Sequence, residues 1–348
     1  MCKKLSICMI GFGNAGRAFC KMLLGQQAKI KNAYDYEVIV NTISTRSKGT
    51  LYDPEGVDIG RALREIEDFG RFSEDNPQLI QISSQEAIKN SKAQVLIELS
   101  TLSIKDGQPA ISHIEAAIEN AMHVITANKG PIAWDYKRLK GLADEKGLSL
   151  LYETVVLDGA PVFNMVRDNL PGCEVLAFKG IVNSTTNFIM EEMESGSDFD
   201  TALKEAQIRG FAESDPSLDI DGWDAVGKTA ALINVIMDGS VTPMDIERTG
   251  ISHITAQDLK DAKAKGGKIK LLCEGYREGN SIKGKVYPGF VSNNDIFSNV
   301  DSTTSMLSIT TDLMGEICIV ERNPEIEQTA YGVFSDMLTL VKRLVKNK

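Results

Sequence analysis

Between Gly210 and Lys228 the chain reads GFAESDPSLDIDGWDAVGK, where Glu213, Asp215, Asp219, Asp221 and Asp224 precede Lys228 at the head of an apolar run. Asp224 and Lys228 stand four apart, so a helix opening at Asp221 or Gly222 places carboxylate and ammonium on one face, a turn apart. Carboxylates can grip the ammonium of an amino acid, and a lysine whose pKa is drawn down by burial and neighbours can pass a proton. The same residues would equally make a capped, solvated helix start with an exposed ion pair.

A second set lies at the N-terminus. Gly11, Gly13 and Gly16, with Phe12, Asn14 and Ala15 among them, spell G-x-G-x-x-G directly after apolar residues 5–10 and before a helical run. Such glycines let the backbone turn tightly and approach a pyrophosphate at a helix N-terminus, whose unsatisfied N–H groups attract negative charge. The next strand candidate, 36–43, runs into Ser44, Thr45, Arg46, Ser47 and Lys48. No Asp or Glu stands there to take the ribose hydroxyls of NAD. The planar fork of Arg46, assisted by Lys48, suits a 2′-phosphate, which predicts NADP ahead of NAD.

These groups need elements to carry them. Strand candidates 5–10, 36–43, 95–99, 123–126 and 149–152 alternate with helical stretches near 86–90, 110–121 and 136–146. The alternation predicts an α/β fold, a Rossmann-type doubly wound parallel sheet over 1–150. At the carboxyl ends of its strands stand Ser100 and Thr101, placed to meet the nicotinamide half of a cofactor, and Asn128 with Lys129. Helix capping explains Ser100 and Thr101 nearly as well. From 151 to 323 the rhythm changes to a strand, a polar turn (Asn183, Thr185, Thr186, Asn187), helices, and strand-like runs at 269–274, 284–286, 307–309 and 316–320, an α+β domain. Residues 324–348 form a C-terminal helix expected to pack back on the nucleotide domain.

Composition narrows the function classes. The chain has 348 residues, 43% hydrophobic and 25% charged, enough for two substantial cores. Its net charge of −10 argues against nucleic-acid or anionic-membrane binding. No run reaches the roughly 18 apolar residues of a membrane span, and the N-terminus has no cleavable leader pattern, so a cytoplasmic protein is expected. The cysteines at 2, 8, 20, 173, 273 and 318 show no CxxC pairing, which points to neither a zinc site nor a disulfide framework. His113, His123 and His253 fall in no recognisable catalytic context, which leaves proton chemistry to lysine and carboxylate.

With these features in hand, the chain resembles the homoserine dehydrogenase family almost end to end. The resemblance is carried by GFGNAGR, by VITANKGPIA at 124–133, by KGIVNSTTNFIM at 179–190 and by RGFAESDPSLDIDGWDAVGK at 209–228. It implies NAD(P)-dependent interconversion of L-homoserine and L-aspartate 4-semialdehyde, a step of threonine and methionine biosynthesis. Lys129 and Lys228 look like the active-site lysines, and Glu213 and Asp224 like the carboxylates that bind substrate and position them. Asn183, Thr185, Thr186 and Asp219 join the implied substrate site. The resemblance also implies a homodimer built on the second sheet, and a short form without ACT or aspartokinase domains.

Two segments depart from the family. Its T-V-G-G-G-I-P is here Thr154-Val155-Val156-Leu157-Asp158-Gly159-Ala160-Pro161, and its C-terminal G-x-G-A-G loop is here residues 323–328 with Glu327 beside the expected cofactor. Asp158 offers a new contact for an amino or hydroxyl group, and bulk at Leu157 or Glu327 could demand another substrate. In the family a monovalent cation, Na+ or K+, can be held by backbone carbonyls that map to Glu153, Val156, Asp158 and Ala160. Alternative readings are a related hydroxy-acid or semialdehyde oxidoreductase and a non-catalytic dinucleotide-binding relative.

Overall fold

The computed structural model describes residues 2–346. The chain forms two compact units: the first comprises the chain up to Pro131, Asp135–Gly159 and the chain from Glu325 on, and the second Ile132–Trp134 and Ala160–Pro324.

The first unit holds strands β1 (Lys3–Ile10), β2 (Tyr36–Thr45), β3 (Gly49–Tyr52), β4 (Leu79–Ile80), β5 (Val95–Glu98), β6 (His123–Thr126) and β7 (Leu150–Leu151). Its helices are α1 (Asn14–Tyr34), α2 (Ile59–Phe69), α3 (Ser84–Asn90), α4 (Ala110–Glu119) and α5 (Lys129–Glu145), which kinks at Asp135. The sheet order is β4-β3-β2-β1-β5-β6-β7. Strands β2, β1, β5, β6 and β7 run parallel, whereas β3 and β4 turn back antiparallel at one edge. That edge is absent from the sequence-based expectation of a wholly parallel sheet. A four-residue strand reached through the turn Arg46–Ser47–Lys48 has too little periodicity to announce itself.

The strand order reverses around β1, so the carboxyl ends of β1 and β5 mark the switch point where open α/β sheets bind ligands. Over one face of the sheet, α1 buries Phe19, Cys20, Leu23 and Ile30. The final helix of the chain, α12 (Ile326–Lys346), buries Ala330, Val333, Phe334, Met337, Leu340 and Val341, apolar positions that recur at helical spacing. Both helices share one core with Leu5, Ile7, Met9, Val38 and Val40.

The second unit contains α6 (Val162–Asn169), β8 (Val175–Ile181), α7 (Ser184–Glu194), α8 (Phe199–Ile208), α9 (Ser217–Ile220), α10 (Trp223–Ile236), β9 (Glu247–Arg248), α11 (Ala256–Ala264), β10 (Gly267–Glu278), β11 (Ser281–Ser292), β12 (Ser305–Thr311) and β13 (Gly315–Glu321). They make a sheet of order β13-β12-β8-β10-β11-β9, antiparallel except where β9 joins β11. Residues 284–286, expected as a short strand, lie inside a strand of 12 residues. Unbroken pairing with β10 overrides the poor strand propensity of Gly284, Pro288 and Gly289.

Candidate active site

Gly11 takes φ +101°, and a Cβ there would fall 2.2 Å from the Leu99 carbonyl oxygen, so only glycine lets β1 turn against the end of β5. Gly16 also packs closely, its added Cβ 2.8 Å from Gly11 O, whereas Gly13 faces open space. Gly13 caps α1 without a side chain, and no acidic residue sits in the first turn, which leaves the helix N-terminus presented to an anion.

Beside this turn, Arg17, Lys21 and Lys48 line a pocket of about 420 Å³ closed by Leu63, Ile66, Glu67 and Gly70. Burial, and then the charge of Arg17, pull the Lys48 ammonium below its ordinary pKa. Gathering like charges around a pocket with Glu67 as its lining carboxylate suits an anionic ligand. Lys48 is therefore at the pocket as its sequence position suggested, while Arg46 stands exposed at the tip of the β2–β3 turn. Thr45 is occupied in that turn: its hydroxyl donates to Gly49 O at 3.1 Å and accepts from Lys48 N at 2.9 Å. A neighbouring pocket of about 380 Å³ is lined by Asn14, Arg17, Ala18, Lys21, Met22, Ile326 and Glu327. Glu327 thus shares a pocket with Asn14, the first residue of α1.

At the switch point, Ser100 N donates to Glu98 Oε1 at 3.2 Å, and Ser100 O accepts from Asn128 Nδ2 at 3.1 Å. Ser100 Oγ is buried without a hydrogen-bond partner among the described residues, which fits a hydroxyl held for a cofactor. Thr101 is exposed. Asn128 caps α5 by accepting from Gly130 N at 3.0 Å, which makes the partly buried Lys129 the first residue of that helix. The cap starts the helix directly at the strand's carboxyl end.

In the second unit the polar turn and the acidic cluster converge. Asn183 caps α7, its Oδ1 accepting from Thr186 N at 2.9 Å and from Thr186 Oγ1 at 2.8 Å. Its amide nitrogen donates to Asp219 Oδ1 at 2.7 Å and to Asp224 Oδ2 at 2.9 Å. Asp224 Oδ2 lies 3.4 Å from Lys228 Nζ, with side chains 15% and 18% exposed, and Nζ donates to Val182 O at 2.6 Å. A cap alone contributes about 1 kcal/mol, and it uses only the carbonyl side of Asn183. The amide is spent on orienting carboxylates. Thr185 donates to Phe211 O at 2.6 Å, tying α7 to the start of the acidic segment. Asn187 turns the other way, to Val300 O at 3.0 Å and Ser302 O at 2.8 Å. Glu213 is exposed and makes no side-chain hydrogen bond to this group among the described residues.

Residues 161–338 match the family model for homoserine dehydrogenase. A homoserine dehydrogenase from Methanocaldococcus jannaschii is 35% identical over 335 residues, spanning 96% of this chain and 98% of the relative. The chain belongs to the homoserine dehydrogenase family. A relative from Pseudomonas canavaninivorans, an NAD(+)-dependent homoserine dehydrogenase, is 28% identical over 333 residues and 95% of each chain. The solved structure of a hyperthermophilic archaeal homoserine dehydrogenase in complex with NADPH matches with a TM-score of 0.84 at 28% identity, covering 98% of both chains.

Against the homoserine dehydrogenase pattern, the departing loop has a structural use. Asp158 takes φ +35°, its Oδ1 accepts from Thr329 Oγ1 at 2.6 Å, and its carbonyl accepts from Thr154 Oγ1 at 2.5 Å. One carboxylate oxygen of the expected substrate ligand is thus committed to fastening the loop near the start of α12. The Asp158 carbonyl is likewise engaged, by the Thr154 hydroxyl. Among the described residues no group of His, Cys, Asp and Glu is arranged to hold a metal. Arg17 and Lys21 were missed by sequence reasoning. Their spacing of four, immediately after the glycine turn, is the signal that could have found them.

Proposed function

We propose that this chain interconverts L-homoserine and L-aspartate 4-semialdehyde, with NADP as preferred nucleotide and NAD accommodated less well. The observation that carries the substrate half is the Asn183 amide bridging Asp219 and Asp224 beside Lys228. A substrate that is a zwitterion needs negative charge for its ammonium, which Asp219 and Asp224 supply. Lysine answers the carboxylate and the reacting oxygen.

In the oxidative direction the nicotinamide takes the hydride from the carbinol carbon, and the hydroxyl proton must leave. Lys129 and Lys228 are the groups suited to accept it and, in reduction, to return it to the developing alkoxide. Val182 O and Asp224 fix the Lys228 ammonium, so its proton is offered in one direction instead of being swept over a rotamer cloud. The nucleotide's pyrophosphate belongs on the N-terminus of α1, and its 2′-phosphate in the pocket of Arg17, Lys21 and Lys48.

The sheet of the second unit is the proposed dimer surface. Support comes from a polar and aromatic face where Lys285 pairs with Glu274 at 3.0 Å and lies over Tyr287, whose hydroxyl donates to Glu274 at 2.9 Å. A cytoplasmic setting is supported by cysteines that are all unpaired thiols. Among the described residues no helix is long and apolar enough to cross a membrane.

The test is direct. Purified protein should oxidise NADPH with L-aspartate 4-semialdehyde and reduce NADP+ with L-homoserine, with weaker turnover on other small aldehydes. Nucleotide binding with no turnover on any member of the panel would leave the dinucleotide-binding alternative standing.

A further inference from the structure

Glu98 ends β5 with no exposed surface, on a strand whose other residues are apolar. Its Oε1 accepts from His113 Nδ1 on α4 at 3.2 Å and from Ser100 N at 3.2 Å. Oε2 has no hydrogen-bond partner among the described residues. His113 is itself 5% exposed. As a contribution to stability this is a poor arrangement, because an apolar pair of similar volume would hold the same core without a half-satisfied carboxylate.

What the pair does hold is the loop that follows it. Ser100 N is tied to Glu98 Oε1 at 3.2 Å, Ser100 O receives Asn128 Nδ2 at 3.1 Å, and Asn128 Oδ1 receives Gly130 N at 3.0 Å. The backbone carbonyl of Glu98 also accepts from Ala127 N at 3.2 Å and Thr126 Oγ1 at 3.3 Å. Lys129 sits between Asn128 and Gly130, so this chain of bonds ends on the residue that opens α5. Ser100 Oγ, buried and without a hydrogen-bond partner among the described residues, stands in the middle of it.

We propose that Glu98, oriented by His113, is a positioning residue that sets the backbone at Ser100 and, through Asn128, the first turn of α5 from which Lys129 projects. The proposal rests on the reading of Lys129 as a proton-handling residue. Glu98 touches neither substrate nor nucleotide; it acts through Ser100 and Asn128. The bond to Ser100 N requires an acceptor at Oε1, not a charge, so a glutamine can replace the carboxylate where a leucine cannot.

The experiment uses the full chain carrying E98Q, E98L, H113L and the pair E98L/H113L, each alone and combined with Lys129→Ala. The apolar pair removes both partners together, so it keeps the fold even where a single change leaves a buried charge unmatched. In E98L/H113L, kcat for semialdehyde reduction should fall about tenfold or more, while KM for the semialdehyde and Kd for NADPH move less than about threefold and Tm is retained. E98Q should keep kcat within about threefold of the parent. On the Lys129→Ala background, E98L/H113L should lower the residual rate by less than about twofold, since its route runs through the lysine.

Wild-type kcat in E98L/H113L, an E98Q as impaired as E98L, or losses that multiply on Lys129→Ala would each overturn the proposal. A Lys129→Ala chain with near-normal rate would instead remove the underlying reading of Lys129 and the proposal with it. An inactive Lys129→Ala beside a normal E98L/H113L removes the proposal alone.

Discussion

The side-chain amide of Asn183 donates to Asp224 Oδ2 at 2.9 Å, the same oxygen that lies 3.4 Å from Lys228 Nζ. Cap, carboxylate and ammonium are therefore one assembly, and its parts can be separated by choice of substitution. Serine can cap a helix nearly as well as asparagine but cannot donate to both Asp219 and Asp224. Asn183→Ser should leave Tm within a few degrees of the parent while kcat falls about 10- to 100-fold. Asn183→Ala should add the loss of the cap, about 1 kcal/mol by denaturant titration. Normal kinetics in Asn183→Ser would reduce the residue to a cap.

Lys228→Ala and Lys129→Ala should each lower kcat by about a hundredfold or more, with NADPH affinity by fluorescence titration changed less than about threefold. If either variant turned over at near-parental rate, that lysine would be a bystander.

If the cations beside the glycine turn hold the 2′-phosphate, as proposed, they set nucleotide choice. Arg17→Ala, Lys21→Ala and Lys48→Ala should each raise KM for NADPH about tenfold and leave KM for NADH nearly unchanged, because only NADPH carries the phosphate they would hold. Added salt should weaken NADPH binding more than NADH binding. Equal losses for both nucleotides would place these side chains on the shared pyrophosphate or outside the site.

Asp158→Gly separates a loop fastener from a substrate ligand. Glycine accepts the positive φ at this position, although the bond to Thr329 is lost. KM for homoserine should change less than about threefold; a rise above about tenfold would restore Asp158 as the group that binds the substrate ammonium.

His123 makes a pH-dependent contribution to stability. Its Nδ1 accepts from Ser149 N at 2.9 Å, which demands the neutral ring, and burial together with the charge of Arg343 pulls its pKa below 6.5. The unfolded chain takes up the proton first as pH falls through 6.5, so this group costs stability progressively below that pH, and nothing above it. His123→Asn, which keeps an acceptor but cannot titrate, should show a shallower loss of Tm between neutral and mildly acid pH than the parent. Identical slopes would mean that Ser149 does not depend on the neutral imidazole.

Residues whose chemistry depends on neighbours in the chain were readable from the sequence: the glycine turn, and Asp224 with Lys228 one helical turn on. What was not readable depends on long-range packing. Glu98 meets His113 across 15 residues only because α4 lies on that face of the sheet, and an apolar strand ending in one glutamate gives no warning of it. Thr329 reaches Asp158 from 171 residues away, a contact that no local pattern announces. Arg17 and Lys21 resemble any solvated helix face until α2 and the β2–β3 turn are seen to line one pocket with them. The edge strands β3 and β4 owe their existence to a turn whose key bonds, from Thr45, are local but whose strands are too short to show a period.

The chain leaves the first unit at Ala160 and re-enters it at Glu325. On a ribosome, which emits the chain from its N-terminus, the core that Phe19, Leu23 and Ile30 of α1 share with the sheet must therefore wait incomplete while Ala160–Pro324 is synthesised, until Val333, Met337 and Leu340 arrive. The nucleotide-binding half is begun first and finished last. The second unit can complete its own fold during that interval, and a nascent chain arrested before α12 would expose an apolar sheet face to its neighbours.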